Sequence, residues 1–205
     1  MPPAARLRSR VAALWLLALA LALPPGTAAA EGDWLTGRLL VASSDMTDPN
    51  FKETVIYMVE HNEGGALGLV VNRPLGEMPL TVLMERLGET DQPAEGSIRI
   101  LSGGPVQPEK SFVLHSSDVV FAESRQVDAG IAVTSHPDAL KAIGRGDGPR
   151  QALLIVGYAG WAPGQLESEM KQGSWEHVPS DGKLLFDPDD DAKWRKAIER
   201  FSIDL

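Results

Sequence analysis

Asp48-Pro49-Asn50-Phe51, Thr54-Val55-Ile56-Tyr57-Met58-Val59-Glu60, His61-Asn62-Glu63-Gly64-Gly65, Ala66-Leu67-Gly68-Leu69-Val70-Val71 and Asn72-Arg73-Pro74 form the stretch that decides the fold. Two short apolar runs flank a glycine turn, the pattern of a β-hairpin with a loop of three to five residues. Val55, Ile56, Val59, Leu67, Leu69, Val70 and Val71 supply a core. Polar residues gather at the two ends, with Glu60 to Glu63 at the turn and Asn72-Arg73 at the exit. At about 3.3 Å per residue, the seven residues between them separate those ends by roughly 20 Å. They cannot share one small site.

Upstream, Gly37 to Ala42 reads as a buried first strand. Downstream, Leu80, Leu83, Met84 and Leu87 mark one face of a helix that Gly88 stops. Ile98–Leu101, Phe112–His115 and Ile131–Thr134 read as short strands. Ser135 is expected to cap a helix ending near Gly144, with Asp138 reaching back to it. Leu153–Val156 is apolar throughout, which suits a central strand covered on both faces. Gly157 to Gly164 then reads as a glycine-rich turn before a helix from Gln165 to Met170. Trp175 to Lys183 reads as irregular and Leu184–Phe186 as a short strand. Trp194, Ala197, Ile198 and Phe201 give the last helix an apolar face on which Trp194 should be buried. The expected architecture is a single α/β domain, a mixed β-sheet surrounded by short helices.

The 205 residues carry 19 basic and 28 acidic side chains and no cysteine. Thiolate chemistry and disulfides are therefore excluded. Residues 1–30 hold Arg6, Arg8 and Arg10, an apolar run from Val11 to Leu23, and Ala28-Ala29-Ala30. That is a signal-peptide layout, predicting cleavage after Ala30, export to the periplasm and no stable membrane span afterwards. Residues 31–205 would be the mature domain, with 16 basic against 28 acidic residues and a charge of −12. Such a surface argues against direct nucleic-acid binding.

No Walker loop, Gly-x-Gly-x-x-Gly, His-Glu-x-x-His or Gly-x-Ser-x-Gly occurs, so no cofactor and no metal are expected. His61, His115 and Glu60 could be drawn together as a zinc site, and Ser102, His115 and Asp48 as a hydrolytic triad, but spacing favours neither. Arg73 is the only cation between Glu60 and Glu85. Its position before Pro74 restricts its backbone toward an extended conformation. It is the preferred contact for an anion, with a salt bridge to a surface carboxylate as the equal alternative.

Taken together, Asp48-Pro49-x-Phe51, Glu60-His61-Asn62, Asn72-Arg73-Pro74, Gly103-Gly104-Pro105, Val113-Leu114-His115, Gly157-Tyr158-Ala159-Gly160-Trp161 and Gly164-Gln165-Leu166-Glu167 resemble the YqgE/AlgH family of bacterial proteins. Leu185-Phe186 and Trp194 extend the likeness, which covers about residue 35 onward. The resemblance implies a partly barrel-like sheet and no established enzymatic activity. One founding member is linked to transcriptional control of alginate synthesis. Members of the family are usually leaderless and cytoplasmic, so the leader here is a departure. Ser43-Ser44 is another, standing where a proline is expected.

The leading expectation is a non-enzymatic binding or regulatory protein for a small anion or a protein partner. Its candidate site residues are His61, Asn62, Asn72, Arg73, Gly103, Gly104, His115, Trp161 and Gln165. The alternative is a hydrolase or metal-dependent enzyme using His61, His115 and nearby carboxylates, which requires those groups to converge. A third expectation is that the motifs specify turns and packing alone.

Overall fold

Strands that are apolar on both faces need two layers of cover, and that requirement shapes this molecule. The computed structural model describes residues 34–89 and 94–203. The expected signal peptide and its cleavage point lie outside those residues. Elements run β1 (Arg38–Ala42), β2 (Val55–Asn62), β3 (Gly65–Val70), β4 (Pro74–Pro79), α1 (Leu80–Arg86), β5 (Ser97–Ser102), β6 (Val106–Ser116), β7 (Arg125–Gln126) and β8 (Ile131–Thr134). They continue with α2 (Pro137–Gly144), β9 (Ala152–Trp161), α3 (Gln165–Lys171), β10 (Trp175–Pro179), α4 (Gly182–Leu185) and α5 (Asp190–Ile203).

The strand order is β10-β1-β2-β3-β9-β6-β8-β7, with the β4–β5 ribbon joined to β9 through β5. The β5–β9 pair is parallel and the others are antiparallel, so the sheet is mixed. It curls into a half-barrel. Inward side chains of β1, β2 and β3 (Leu39, Val41, Val55, Tyr57, Val59, Leu69), with Val71 just after β3, meet those of β5, β6, β8 and β9 across the interior. Leu184, Leu185 and Ala197 of α4 and α5 close that core. The alternate residues Leu40, Ile56, Met58 and Val70 face outward and are covered by Leu166 of α3 and by Trp175. A third cluster joins α1 and α2 to the other outer face. Side chains join the far edge to β2: Arg125 of β7 pairs with Glu60 at 2.5 Å, and Tyr57 donates its hydroxyl to Asp128 at 2.6 Å.

The hairpin is tighter than expected. Asn62 pairs directly with Gly65, leaving only Glu63 and Gly64 between the strands. Asn62 Oδ1 accepts from the Gly64 N–H at 2.7 Å, and Gly65 takes φ +120°. The central strand β9 is longer than its apolar run. It continues through Gly157 to Trp161, and Gly157, at φ +72°, lies where it exchanges β5 for β3 as a partner.

Four local expectations are corrected. Trp175–Pro179 is a strand, antiparallel to β1, because that edge offers a ladder that a lone segment lacks. Leu184-Leu185-Phe186 belongs to a helical turn and its C-cap, not a strand. Two consecutive leucines can both be buried there, and Asp181 Oδ1 caps the turn by accepting from the Leu184 N–H at 2.8 Å. His136, not Ser135, caps α2, its ring Nδ1 accepting from the Asp138 N–H at 3.3 Å. In α5 the deepest face carries Asp190, Lys193 and Ala197. Trp194 is therefore only half-buried and donates its indole N–H to the Ala42 carbonyl at 2.8 Å.

Lys193 can be fully buried because it donates to the Val71 carbonyl at 2.7 Å and pairs with Asp190 at 2.9 Å. Arg99 of β5 meets the same carboxylate oxygen at 2.5 Å. Burial pushes the Lys193 ammonium down from its ordinary value, and Asp190 opposes that shift.

Candidate functional site

Register places His61, Ala66 and Trp161 side by side across β2, β3 and β9. His61 is buried, and its Nδ1 accepts from the Leu35 N–H at 3.1 Å. The proton therefore belongs on Nε2, which donates to Glu167 at 3.1 Å. Trp34 meets the ring edge-on at 5.1 Å between centroids. Asn62 spends its oxygen on the turn and its amide on Glu60. Two residues after Glu167, Glu169 gathers three donors. Both indole N–H groups, of Trp161 at 2.9 Å and Trp175 at 2.8 Å, share its Oε2, and the Gln165 amide reaches its Oε1 at 2.8 Å. The Gln165 oxygen in turn accepts from the Ala162 N–H. Phe51 packs against both indoles, at 6.5 and 5.5 Å, which ties down the Asp48–Phe51 loop. His61, Trp161 and Gln165 thus converge as a latch holding α3 against β2, β9 and β10, while Asn62 is spent on the hairpin turn and Glu60.

The other named residues lie at the far end of the hairpin. Asn72 is buried; its oxygen accepts from the Val55 N–H and its amide donates to the Glu53 carbonyl, both at 2.9 Å. Gly103 sits where β9 exchanges partners. It accepts from the Val70 N–H and donates to the Val156 carbonyl, and a Cβ there would stand 2.3 Å from the Gly157 oxygen. Gly104, at φ +143°, approaches the Tyr158 backbone just as closely. Only glycine fits such backbone contacts. Arg73 donates to the Lys52 carbonyl and forms no ion pair among the described residues. It lines a cavity of about 180 Å³ with Asn72, Glu53, Asp191 and Arg195.

His115 is apart from both groups. It is fully buried on β6, with Nδ1 donating to the Ser116 carbonyl at 2.9 Å and Nε2 facing the Ser124 hydroxyl at 3.4 Å. Burial lowers its basicity and keeps it neutral. His61 and His115 share no partner, and no cluster of three metal-ligating side chains occurs among the described residues. Among the described residues the two histidines are thus not brought together on one carboxylate.

A larger cavity lies elsewhere, at the rim where β1, β8 and β9 begin and β6 and β10 end. It encloses about 610 Å³. Most of its charged groups already have partners. Asp128 accepts from the Tyr57 hydroxyl and from the Gly130 and Ile131 N–H groups at 2.7 and 2.9 Å. Burial, reinforced by Asp128, raises the Tyr57 hydroxyl far above its ordinary value, so it remains a donor. Asp181 pairs with Arg200 at 2.6 Å and caps α4. Arg150 pairs with Asp118 at 3.1 Å, and the Ser116 hydroxyl is bonded to the same carboxylate. Two groups differ. Arg38 Nε and Ser180 Oγ are shielded from solvent and have no hydrogen-bond partner, and the Arg38 guanidinium has no ion pair among the described residues. A buried donor left unpaired costs stability unless something else satisfies it.

The sequence reading passed over both residues. Arg38 had a signal, as the one charge in the otherwise apolar Gly37–Ala42 strand. Ser180 lay inside the stretch read as irregular and had none.

A family model described as AlgH-like matches residues 39–205. A UPF0301 protein of Afipia carboxidovorans is 41% identical over 191 residues, covering 89% of this chain and 91% of the relative. One from Caulobacter vibrioides is 42% identical, covering 84% and 90%. The solution structure of the AlgH protein from Pseudomonas aeruginosa superposes with a TM-score of 0.69 at 40% identity, covering 83% of this chain and 90% of that one. A crystal structure from Corynebacterium diphtheriae, at 18% identity and a TM-score of 0.63, shares the fold.

Proposed function

From the premise that this chain belongs to the AlgH-like family, we propose that it is a non-enzymatic binding protein of the regulatory kind, and that its small-molecule site is the 610 Å³ cavity at the rim of the half-barrel. The observation that carries this reading is the Arg38 side chain on the cavity wall, with no ion pair among the described residues and a buried Nε that finds no hydrogen-bond partner. Well-formed cavities with a few convergent polar groups are the usual place for small ligands. The catalytic alternative has less support, since His61 and His115 are spent on different structural partners. The charge of −12 on residues 31–205 favours a ligand or protein partner over a promoter. The leader directs the mature domain to the periplasm in this reading, and N-terminal sequencing from the native host should find Glu31 first. Intact Met1 in the cytosol would contradict that location.

The site itself is tested with a bulky plug. Ala129 is exposed on the cavity wall, so Ala129→Trp should fill space without disturbing the core. A thermal-shift screen against a metabolite collection should yield stabilising compounds for the parent that lose their effect on the variant. Compounds that stabilise both equally would place the site elsewhere.

A further inference from the structure

We infer, on the footing that the rim cavity is the binding site, that its occupant is a small organic monocarboxylate whose head group rests on the Arg38 guanidinium and the Ser180 hydroxyl. Of the cavity's polar groups, Asp128, Asp181, Arg150 and Ser116 are already bonded within the protein, as set out above. The unmet donors are Arg38 Nε and the Ser180 hydroxyl. Donors without acceptors call for an acceptor, and the planar guanidinium fork matches a carboxylate in two parallel hydrogen bonds.

Charge decides between a carboxylate and a phosphate. One unpaired cation faces the cavity, flanked by the carboxylates of Asp128 and Asp181. A monoanion balances Arg38. A dianion would place its second charge against two carboxylates with no free cation to receive it. Apart from Arg150, which is paired with Asp118, the rest of the lining is uncharged, including Ile131, Pro179 and Phe186. A cavity of about 610 Å³ far exceeds one head group, so the ligand has an uncharged and partly apolar body.

Calorimetric titration of the full chain tests this with acetate, hexanoate and benzoate, each beside its neutral amide, and with inorganic phosphate. At least one carboxylate should bind roughly tenfold or more tighter than its amide and than phosphate, as expected for a charge-assisted contact. Arg38→Gln should abolish that preference while keeping the parent's unfolding midpoint, and Arg38→Lys should restore part of it. Equal binding of carboxylate and amide, tighter binding of phosphate, no carboxylate binding at all, or a preference unchanged in Arg38→Gln would each overturn the inference. The Ala129→Trp variant separates this failure from that of the site. Carboxylate and amide binding equally, and both blocked by the tryptophan, would remove the anion and keep the cavity. Carboxylate binding untouched by the tryptophan would remove both.

Discussion

Around Glu169, donors and acceptors pair completely: two indoles, one amide and one helix meet a single carboxylate. At the opposite kind of place, the rim cavity, Arg38 Nε and Ser180 Oγ are left with no hydrogen-bond partner in the protein. Both regions are polar and both draw on residues at strand ends. The difference is saturation. A saturated cluster stabilises the fold and has nothing left to offer a ligand. An unsaturated one costs stability, and that cost is recovered when a ligand arrives.

The sharpest way to break this contrast is to remove the latch. Trp161→Ala deletes a buried ring together with its bond to Glu169, and should cost about 3–5 kcal/mol in denaturant unfolding. A cost below about 1 kcal/mol would mean that the aromatic cluster is not structural. Glu169→Leu is milder. It strands two indole N–H groups and the Gln165 amide, and should cost about 1–3 kcal/mol, with Gln165→Ala coupled to it in a double-mutant cycle. Independent, additive losses would deny that the three donors act as one unit.

His115 extends the contrast into pH. Its basicity in the folded state lies below the ordinary value of 6.5, chiefly through burial. The unfolded chain therefore takes up this proton first as pH falls. The stability contribution is complete above 6.5 and is lost as pH drops from there toward the lowered folded value. His115→Gln should flatten that part of the stability–pH curve, and an unchanged slope would assign it to other groups. The smallest stability effect is expected at the cavity. Arg38→Gln should shift unfolding by no more than about 0.5 kcal/mol, because no protein partner is lost.

The hairpin, the central strand and the outer helices were legible because apolar period and glycine turns are local signals. β10 was not, because its ladder depends on β1, far away in sequence. Residues such as Gly103, Asn72 and Trp161 stood out as a recurring motif, but a motif does not say whether a residue is bonded inward or open to a ligand. Asn72 illustrates this: only the contacts to Val55 and Glu53 reveal that its amide completes the backbone pairing of the loop. Arg73 attracted attention as a lone cation, yet Arg38, equally alone in its strand, lines the larger space. Charge isolation in sequence and charge isolation in space are different properties.

The central claim is that a ligand goes to the unsaturated region and leaves the saturated one untouched. Titrating hexanoate into the isotope-labelled chain and following its NMR signals addresses both regions in one spectrum. The backbone amides of Arg38, Gly130, Ile131 and Ser180 should move in a saturable way, while the indole N–H signals of Trp161 and Trp175 stay fixed. Movement of the two indoles with a silent rim would contradict it.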